Sequence, residues 1–293
     1  MIQKRALVIG GNRFFGRHLT LSLLESGYDI TLLNRGRHDD GLGGQVRRIK
    51  ANRLERSELE TALKGQTWDL VFDQVCFTAK EALTICELLE GLTERVLFTS
   101  SQSVYGYGLS IPESKFDPVL HSFSKEVSAE EDYAEAKRQS EWAFAKFSKL
   151  HSVMVRMPLV IGTDDYTGRF EWHIKRCSQE LPIYFPNEKA RLGFIRSDIA
   201  GGALLKIAES NLLGPVNCAC PGDIELREFM RLIERKTGKP YFRTSEPNSE
   251  NHSPYGVEQD WTMSLKKLGD EGILLPDLSS WFSDLINASR LPE

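Results

Sequence analysis

The feature that most constrains the fold is a glycine-rich turn close to the start of the chain. Residues 6–10 form an apolar run that predicts a β-strand, and residues 16–26 form an amphipathic pattern that predicts a helix. Backbone N–H groups at the start of a helix attract phosphate, and glycines let the backbone come close to it. We therefore predict a dinucleotide pyrophosphate site here, although a tight turn without a ligand is the alternative for such a motif alone. The residues predicted to bind the cofactor are Gly10, Gly11, Asn12, Arg13, Phe14, Phe15 and Gly16.

Short apolar runs alternate with helical patterns along the first half of the chain. This alternation predicts an α/β fold, a Rossmann-type doubly wound parallel sheet with a small C-terminal substrate lobe. We expect a dinucleotide-binding domain over residues 1–162 and a mainly substrate-binding lobe over residues 163–293, with some segments returning to the first domain. The remaining predicted strands are 29–33, 46–50, 70–75, 95–99 and 153–160, and the remaining helices are 57–64, 79–89 and one that begins near residue 129.

The charges around the predicted cofactor site favour NADP over NAD. The second strand is followed by Asn34 and Arg35, where an acidic residue would bind the adenosine ribose of NAD. No acidic residue occurs between there and Asp39. Asn34 with Arg13 and Arg35, and Arg37 as a further candidate, can instead bind and neutralise the 2′-phosphate of NADP. The alternative is that the arginines are solvated loop charges.

Composition limits the partners and the compartment. The formal net charge of −4 provides no positive field for nucleic acid or an acidic membrane, so we expect neither partner. The five cysteines are odd in number and lack metal-ligand spacing, which predicts buried thiols in a reducing compartment and no metal site. The first residues enter a strand directly, without an apolar segment long enough for a signal or a membrane span. We therefore expect a cytoplasmic protein.

A tyrosine and a lysine four residues apart are the strongest catalytic candidates. Tyr133 and Lys137 would share one face of their predicted helix. A free tyrosine titrates near pH 10, so work as a base at neutral pH requires about 4 kcal/mol of phenolate stabilisation. The lysine ammonium and a positive nicotinamide can supply it. The phenol can then exchange a proton with a substrate hydroxyl or carbonyl while hydride moves to or from the nicotinamide. A serine after the strand at 95–99 could orient the same oxygen, unless it only bonds the turn backbone.

The segments GGNRFFG, SSQSVYG and YAEAKRQSE resemble, in this order, the extended and atypical short-chain dehydrogenase/reductase family, the NAD-dependent epimerase/dehydratase group. The resemblance covers nearly the whole chain. It implies an NAD(P)-dependent oxidoreductase or epimerase that acts on a hydroxyl or carbonyl carbon, with a nucleotide-sugar as a candidate substrate. It implies Ser101 as the hydroxyl partner, Tyr133 as the acid/base, and Lys137 as the group that makes the phenol more acidic and holds the nicotinamide ribose. By the same resemblance, Arg169 and Arg191 would bind the substrate.

Departures from the family pattern define the alternatives. Arg13 resembles an atypical subgroup that includes chloroplast stem-loop RNA-binding proteins. A non-catalytic NADP-binding regulatory or RNA-associated protein of the same fold is therefore the competing hypothesis. Gln102 and Ser103 stand where sugar-nucleotide 4,6-dehydratases carry Asp and Glu, which argues against dehydration, and residues 73–76 replace a stretch of small residues. The sequence does not distinguish an epimerase from a reductase, and a homodimer paired through the Tyr133 helix is a candidate assembly.

Overall fold

The computed structural model describes residues 3–291. Its strands are β1 (Arg5–Ile9), β2 (Asp29–Asn34), β3 (Arg47–Lys50), β4 (Leu70–Asp73), β5 (Arg95–Ser101), β6 (Gly108–Ile111), β7 (His151–Met157), β8 (Leu159–Ile161), β9 (Pro182–Ile183), β10 (Arg191–Leu192), β11 (Phe194–Arg196), β12 (Gly214–Asn217), β13 (Ile224–Glu225), β14 (Phe242–Arg243) and β15 (Trp261–Met263). Its helices are α1 (Phe14–Glu25), α2 (Arg56–Leu63), α3 (Ala79–Leu89), α4 (Tyr133–Lys146), α5 (Arg169–Ser178), α6 (Ser197–Glu209), α7 (Leu226–Thr237), α8 (Lys266–Asp270) and α9 (Phe282–Ala288).

Seven parallel strands form the main sheet, in the order β12-β7-β5-β4-β1-β2-β3. Most residues of the central strands are buried, because separate apolar clusters pack on the two faces of the sheet. The strand order reverses between β1 and β4, which opens a crevice at the carboxyl ends of the strands, where such sheets bind their ligands. The predicted Rossmann-type α/β fold is confirmed.

Most predicted element boundaries differ from the structure by one or two residues, and two elements differ by more. The helix expected near residue 129 begins at Tyr133, because the Asp132 side chain accepts the N–H of Glu135 at 2.9 Å and caps the first turn. The strand expected over 153–160 is split into β7 and β8 at Pro158, which has no N–H to donate to a ladder. β8 then pairs with β11 in a separate two-stranded sheet.

Segments cross between the two halves of the chain. β12 pairs with β7 at the edge of the main sheet, and α6 packs so closely on α1 that a Cβ on Gly201 would lie 2.5 Å from the Leu19 nitrogen. In the opposite direction, β6 joins β13, β10 and β15 in a four-stranded sheet. The division at residue 162 stays a prediction, and its outer ends, residues 1, 2, 292 and 293, lie outside the described residues.

The packing of α5 centres on the buried His173. Its Nδ1 lies 2.9 Å from the Arg169 carbonyl oxygen and its Nε2 lies 2.8 Å from the Ser253 Oγ. A carbonyl oxygen only accepts, so Nδ1 carries the proton and Nε2 accepts from the serine. The rings of Phe229 and Tyr255 also pack on the imidazole. Burial lowers the pKa of His173 to about 3, so the ring is neutral.

Within residues 3–291, no helix is both long and apolar enough to cross a bilayer. The same residues contain no group of three or more His, Cys, Asp or Glu side chains placed to hold a metal ion.

Candidate active site

Two neighbouring cavities occupy the carboxyl edge of the main sheet, and both are lined by Val75 and Phe77. The first cavity has a volume of about 390 Å³ and lies at the ends of β1, β2 and β3. The second has a volume of about 630 Å³ and lies between β5, the start of α4 and the segment around α5. Because they share these lining residues, the two cavities adjoin each other near the point where the strand order reverses, and together they are called the cleft.

The glycine turn, residues 10–16, is shaped by close backbone packing. Gly10 and Gly11 adopt φ values of +96° and +66°, in the left-handed region that favours glycine. A Cβ on Gly16 would lie 3.0 Å from the Gly11 Cα, so the first turn of α1 rests directly on the turn. The Thr20 hydroxyl donates to the Gly11 carbonyl at 2.9 Å and fixes this packing. Gly11 and Gly16 thus shape the turn, whereas Gly10 lines the first cavity.

Several of the predicted cofactor residues line the cleft. Asn12, Asn34 and Arg35 face the first cavity together with Gly10, while Phe14 and Phe15 face the second. The Asn34 Oδ1 accepts the N–H of Gly36 at 2.8 Å, which bends the chain away after β2. This bend brings further basic side chains to the first cavity, Arg37 and His38.

Arg13 lines neither cavity of the cleft. Its guanidinium carbon lies 3.7 Å from the centroid of the Tyr166 ring, and its side chain lines a further cavity with Arg17 and His18 of α1. The reason is local: Arg13 has an extended backbone as the N-cap of α1, and a cation–π contact holds its side chain. The structure therefore gives no support to the predicted contact between Arg13 and a 2′-phosphate.

The three predicted catalytic residues line the second cavity together. Ser101 ends β5, Tyr133 is the first residue of α4, and Lys137 follows one turn later. The Lys137 Nζ lies 5.9 Å from the centroid of the Tyr133 ring. The Tyr133 side chain is well exposed, at 43%, at the mouth of this cavity, whereas Lys137 is only 2% exposed.

Lys137 is a buried cation that has no carboxylate partner among the described residues. Its Nζ donates to the carbonyl oxygens of Cys76 at 2.7 Å and Thr99 at 3.0 Å. The rings of Phe77 and Phe98 lie 4.6 and 4.7 Å from the nitrogen. An ammonium has three N–H groups, so one donor is left for a ligand. A buried, unneutralised positive charge attracts an anionic or strongly accepting group into the cavity.

Ser101 is oriented by the turn that follows β5. Its Oγ accepts the N–H of Ser103 at 3.1 Å, so one lone pair is used and the hydroxyl proton is free for a ligand. Directly behind it, the Ser100 Oγ donates to the Glu141 Oε1 at 2.5 Å. Glu141 forms an ion pair with the equally buried Arg156. Hydrogen bonds and this ion pair therefore fix the residues that pack behind Ser101.

The two predicted substrate arginines lie in different places. Arg169 lines the second cavity, and its Nε donates to the Thr167 Oγ1 at 3.1 Å. Arg191 does not line this cavity, because its Nε donates to the Asp223 Oδ1 at 2.5 Å and its guanidinium also faces Glu225. The structure therefore does not support a substrate contact by Arg191, whose positive charge is neutralised within the lobe.

An ion pair under the first cavity was not predicted from the sequence. Arg53 lines this cavity, and its Nη1 donates to the buried Asp73 Oδ1 at 2.5 Å. Burial alone would lower the pKa of Arg53, but the carboxylates of Asp73 and Glu81 raise it above its usual range. The charge of Arg53 is thus already paired, unlike those of Arg35 and Arg37.

Three polar side chains of the second cavity were also missed. Each has a buried polar atom without a hydrogen-bond partner among the described residues: Gln74 Nε2, Ser103 Oγ and Trp261 Nε1. Trp261 reaches the cavity because the Gln102 side chain donates to its carbonyl oxygen at 2.8 Å. The only available sequence signal was the position of Gln74 and Ser103 just after parallel strands; nothing near Trp261 in the chain indicates the site.

A doubly wound sheet with a glycine turn and a two-part cleft at its carboxyl edge defines a dinucleotide-binding protein of the Rossmann type. The model of the NAD dependent epimerase/dehydratase family matches residues 6–210, which is more than half of the chain. The chain belongs to this family, so the predicted family is confirmed.

Curated relatives are distant and longer. A UDP-glucuronic acid decarboxylase 1 from Xenopus tropicalis is 24% identical over 80% of this chain and 61% of its own length. The chloroplast stem-loop binding protein of 41 kDa b from Arabidopsis thaliana is 25% identical over 66% of this chain and 53% of its own length. The chain thus spans less than two thirds of the length of these relatives.

Solved structures share the whole fold. A UDP-glucose 4-epimerase from Thermus thermophilus, in complex with NAD, has a TM-score of 0.75 at 19% identity, covering 97% of both chains. A putative epimerase from Burkholderia cenocepacia has a TM-score of 0.77 at 20% identity, covering 98% of this chain and 99% of its own. At sequence identities of 19% and 20%, the similarity establishes the fold alone.

Proposed function

We propose that the protein is a nicotinamide-dinucleotide-dependent epimerase or oxidoreductase that acts on a hydroxyl or carbonyl carbon of a nucleotide-sugar. The observation that carries this proposal is a buried, unneutralised Lys137 in one cavity with Tyr133 and Ser101. A protein that only binds a cofactor has no need of a buried cation beside a phenol and a hydroxyl.

The cleft fits a dinucleotide on structural grounds. Position 10 has room only for glycine, since a Cβ there would lie 3.0 Å from the Val75 Cγ1. Without a side chain at this position, the backbone of the glycine turn is open to a ligand. Backbone N–H groups at the start of α1 suit a pyrophosphate. The first cavity would hold the adenosine half near Asn34, and the second would hold the nicotinamide half near Lys137.

Each catalytic side chain has a distinct role in the proposed reaction. The Ser101 hydroxyl would donate to the substrate oxygen, because its oxygen accepts from the Ser103 N–H and its proton is free. Tyr133 would move a proton to or from the same oxygen. Lys137 would stabilise the phenolate through its positive charge and hold a ribose hydroxyl with its free N–H. The chemistry supplied by a bound nicotinamide is acceptance or return of a hydride at the substrate carbon.

NADP is the proposed form of the cofactor. Arg35, Arg37 and His38 line the first cavity from one loop, and no ion pair or side-chain hydrogen bond engages them among the described residues. Asp40, two residues after His38, pairs with Arg48 at 2.7 Å. The carboxylates of Glu81 and Glu130 also line this cavity, but neither forms an ion pair with the loop cations. The similar structures from Thermus thermophilus and Bacillus cereus hold NAD, so the proposal rests on the loop cations of this chain and not on similarity.

The substrate end of the cleft suits an anionic, hydroxylated ligand. Arg169 offers a guanidinium without a carboxylate partner among the described residues, and Ser103 and Trp261 offer unpaired polar groups. The names of the relatives and similar structures refer to UDP-sugars, which carry a diphosphate and several hydroxyls. Gln102 and Ser103 are not carboxylic acids, so the proposed reaction does not include dehydration.

The proposal predicts a separation of binding from turnover. UDP-glucose, UDP-galactose and UDP-glucuronic acid would be supplied with NADP⁺ or NAD⁺, and products would be measured by chromatography. We expect Tyr133→Phe to lower turnover by about 10²- to 10⁴-fold with cofactor affinity retained. Tyr184→Phe is the control, because Tyr184 lines neither cavity. Turnover by Tyr133→Phe equal to that of wild type would reject the catalytic assignment.

RNA binding is the second candidate, favoured by the match to a chloroplast stem-loop binding protein. The net charge of −4 opposes it. Salt-dependent retention of a stem-loop RNA, with no turnover on any of the nucleotide-sugars, would favour this candidate instead. A cytoplasmic location and a homodimer stay predictions.

A further inference from the structure

Gln74 lines the second cavity immediately after β4, next to Val75, which lines both cavities. Its backbone N–H donates to the Ile9 carbonyl at 3.0 Å, which holds it beside the end of β1. A Cβ on Gly10 would lie 3.2 Å from the Gln74 Cβ, so this side chain stands next to the glycine turn. Tyr133 and Lys137 line the same cavity.

One end of the Gln74 amide is fixed and the other is unsatisfied. The Oε1 accepts from the Thr99 Oγ1 at 3.1 Å, while the buried Nε2 has no partner among the described residues. The side chain is only 8% exposed, so solvent does not readily compensate for this donor. The carbonyl of the same Thr99 accepts from Lys137, so one residue positions both the amide and the ammonium.

We propose that the Gln74 Nε2 donates a hydrogen bond to an oxygen of the nicotinamide riboside half of the bound cofactor. This inference rests on the proposed function, because it requires a nicotinamide dinucleotide in the cleft. The path from the glycine turn to Lys137 passes Gln74, and a ligand on that path presents ribose and carboxamide oxygens as acceptors. Gln74 is thus a cofactor-orienting residue in the stretch 73–76, where the family pattern has small residues.

The test compares a whole cofactor with its adenosine half. NADPH and 2′,5′-ADP would be titrated calorimetrically into wild type and Gln74→Met, which keeps the chain length and removes the donor. We expect about tenfold weaker NADPH binding, the loss of one buried hydrogen bond, and 2′,5′-ADP binding unchanged within about twofold. If wild type prefers NADH, the pair becomes NADH and ADP.

A second variant keeps the inference testable if Gln74→Met does not fold. Thr99→Val removes the hydroxyl that orients the amide but keeps the carbonyl that holds Lys137. It should weaken NADPH binding by about two- to fivefold and leave 2′,5′-ADP binding unchanged.

Three outcomes of these titrations would reject different parts of the interpretation. Unchanged NADPH affinity in Gln74→Met would overturn the inference and leave the proposed function intact. Equal losses for NADPH and 2′,5′-ADP would also overturn it, because they would indicate a disturbed glycine turn. If wild type itself bound NADPH no tighter than 2′,5′-ADP, the proposed function would fail instead.

Discussion

At the scale of single residues, whether a cation is paired with a carboxylate of this chain indicates its role. Arg53 and Arg191 are neutralised by carboxylates of this chain, and their charges are used within the fold. Arg35 and Lys137 line the cleft without such partners among residues 3–291. Since an unpaired cation in a cavity gains most from an anionic ligand, Arg35 and Lys137 are both expected to contact the cofactor.

The loop cations predict a measurable cofactor preference. Arg35→Ala should weaken NADPH binding by about 10-fold or more and change NADH binding by less than about twofold, because only NADPH carries the 2′-phosphate. Fluorescence titration of both cofactors measures this ratio. Arg47→Ala is the matched control, since Arg47 pairs with Asp29 outside the cleft. Tighter binding of NADH than of NADPH by wild type would contradict the NADP assignment.

At the scale of elements, the start of α4 determines where the phenol stands. Because Asp132 caps the helix, Tyr133 occupies its first position. Lys137 follows one turn later and lies deeper in the second cavity. With the helix beginning at this point, the Tyr133 side chain is exposed, whereas the Lys137 side chain, four residues later, is buried.

Loss of this cap should affect both stability and activity. Asp132→Ala should lower the free energy of unfolding by about 1 kcal/mol, because the N–H of Glu135 loses its acceptor. It should also reduce turnover, since Tyr133 becomes the fraying end of the helix. Asp132→Asn retains a capping oxygen and should preserve most of both properties. Urea denaturation and product assays provide the measurements, and equal behaviour of the Ala and Asn variants would reject the capping role.

Local patterns could be predicted from the sequence, whereas tertiary pairings could not. The glycine turn depends on a contiguous strand, turn and helix, and the pair Tyr133 and Lys137 depends on helical spacing, so both were found. The neutralising partner of Arg191 is Asp223, 32 residues away, and no local pattern reveals it. Trp261 enters the cleft only because β15 lies beside β6, a pairing across more than half of the chain.

At the scale of the whole molecule, a buried polar network joins the main sheet to the smaller one. Arg156 on β7 pairs with Glu141 on α4 and donates to the Tyr105 hydroxyl at 2.6 Å. Tyr105 in turn donates to the Asn217 Oδ1 at 2.8 Å, and Asn217 donates to the Ile111 carbonyl on β6. The catalytic face of α4 and the wall with Trp261 are therefore held by one bonded framework.

The buried His173 makes the stability of the molecule depend on pH. Its pKa is about 3 when folded and 6.5 when exposed, so between these values the unfolded state binds more protons and stability falls as the pH decreases. We expect a loss of about 2 kcal/mol from this group between pH 7 and pH 5. His173→Gln should lack this component, and replacement of the exposed His151 should retain it. Urea denaturation at both pH values checks this, and an unchanged pH dependence in His173→Gln would contradict it.

Stopped-flow absorbance at 340 nm measures whether Tyr133 and Lys137 serve nicotinamide chemistry on a nucleotide-sugar. Protein loaded with NADP⁺ and mixed with each UDP-sugar should show reduced cofactor within the first turnover for at least one sugar, and Tyr133→Phe should not. Absence of any signal in wild type that demonstrably binds both the cofactor and the sugar would contradict the account.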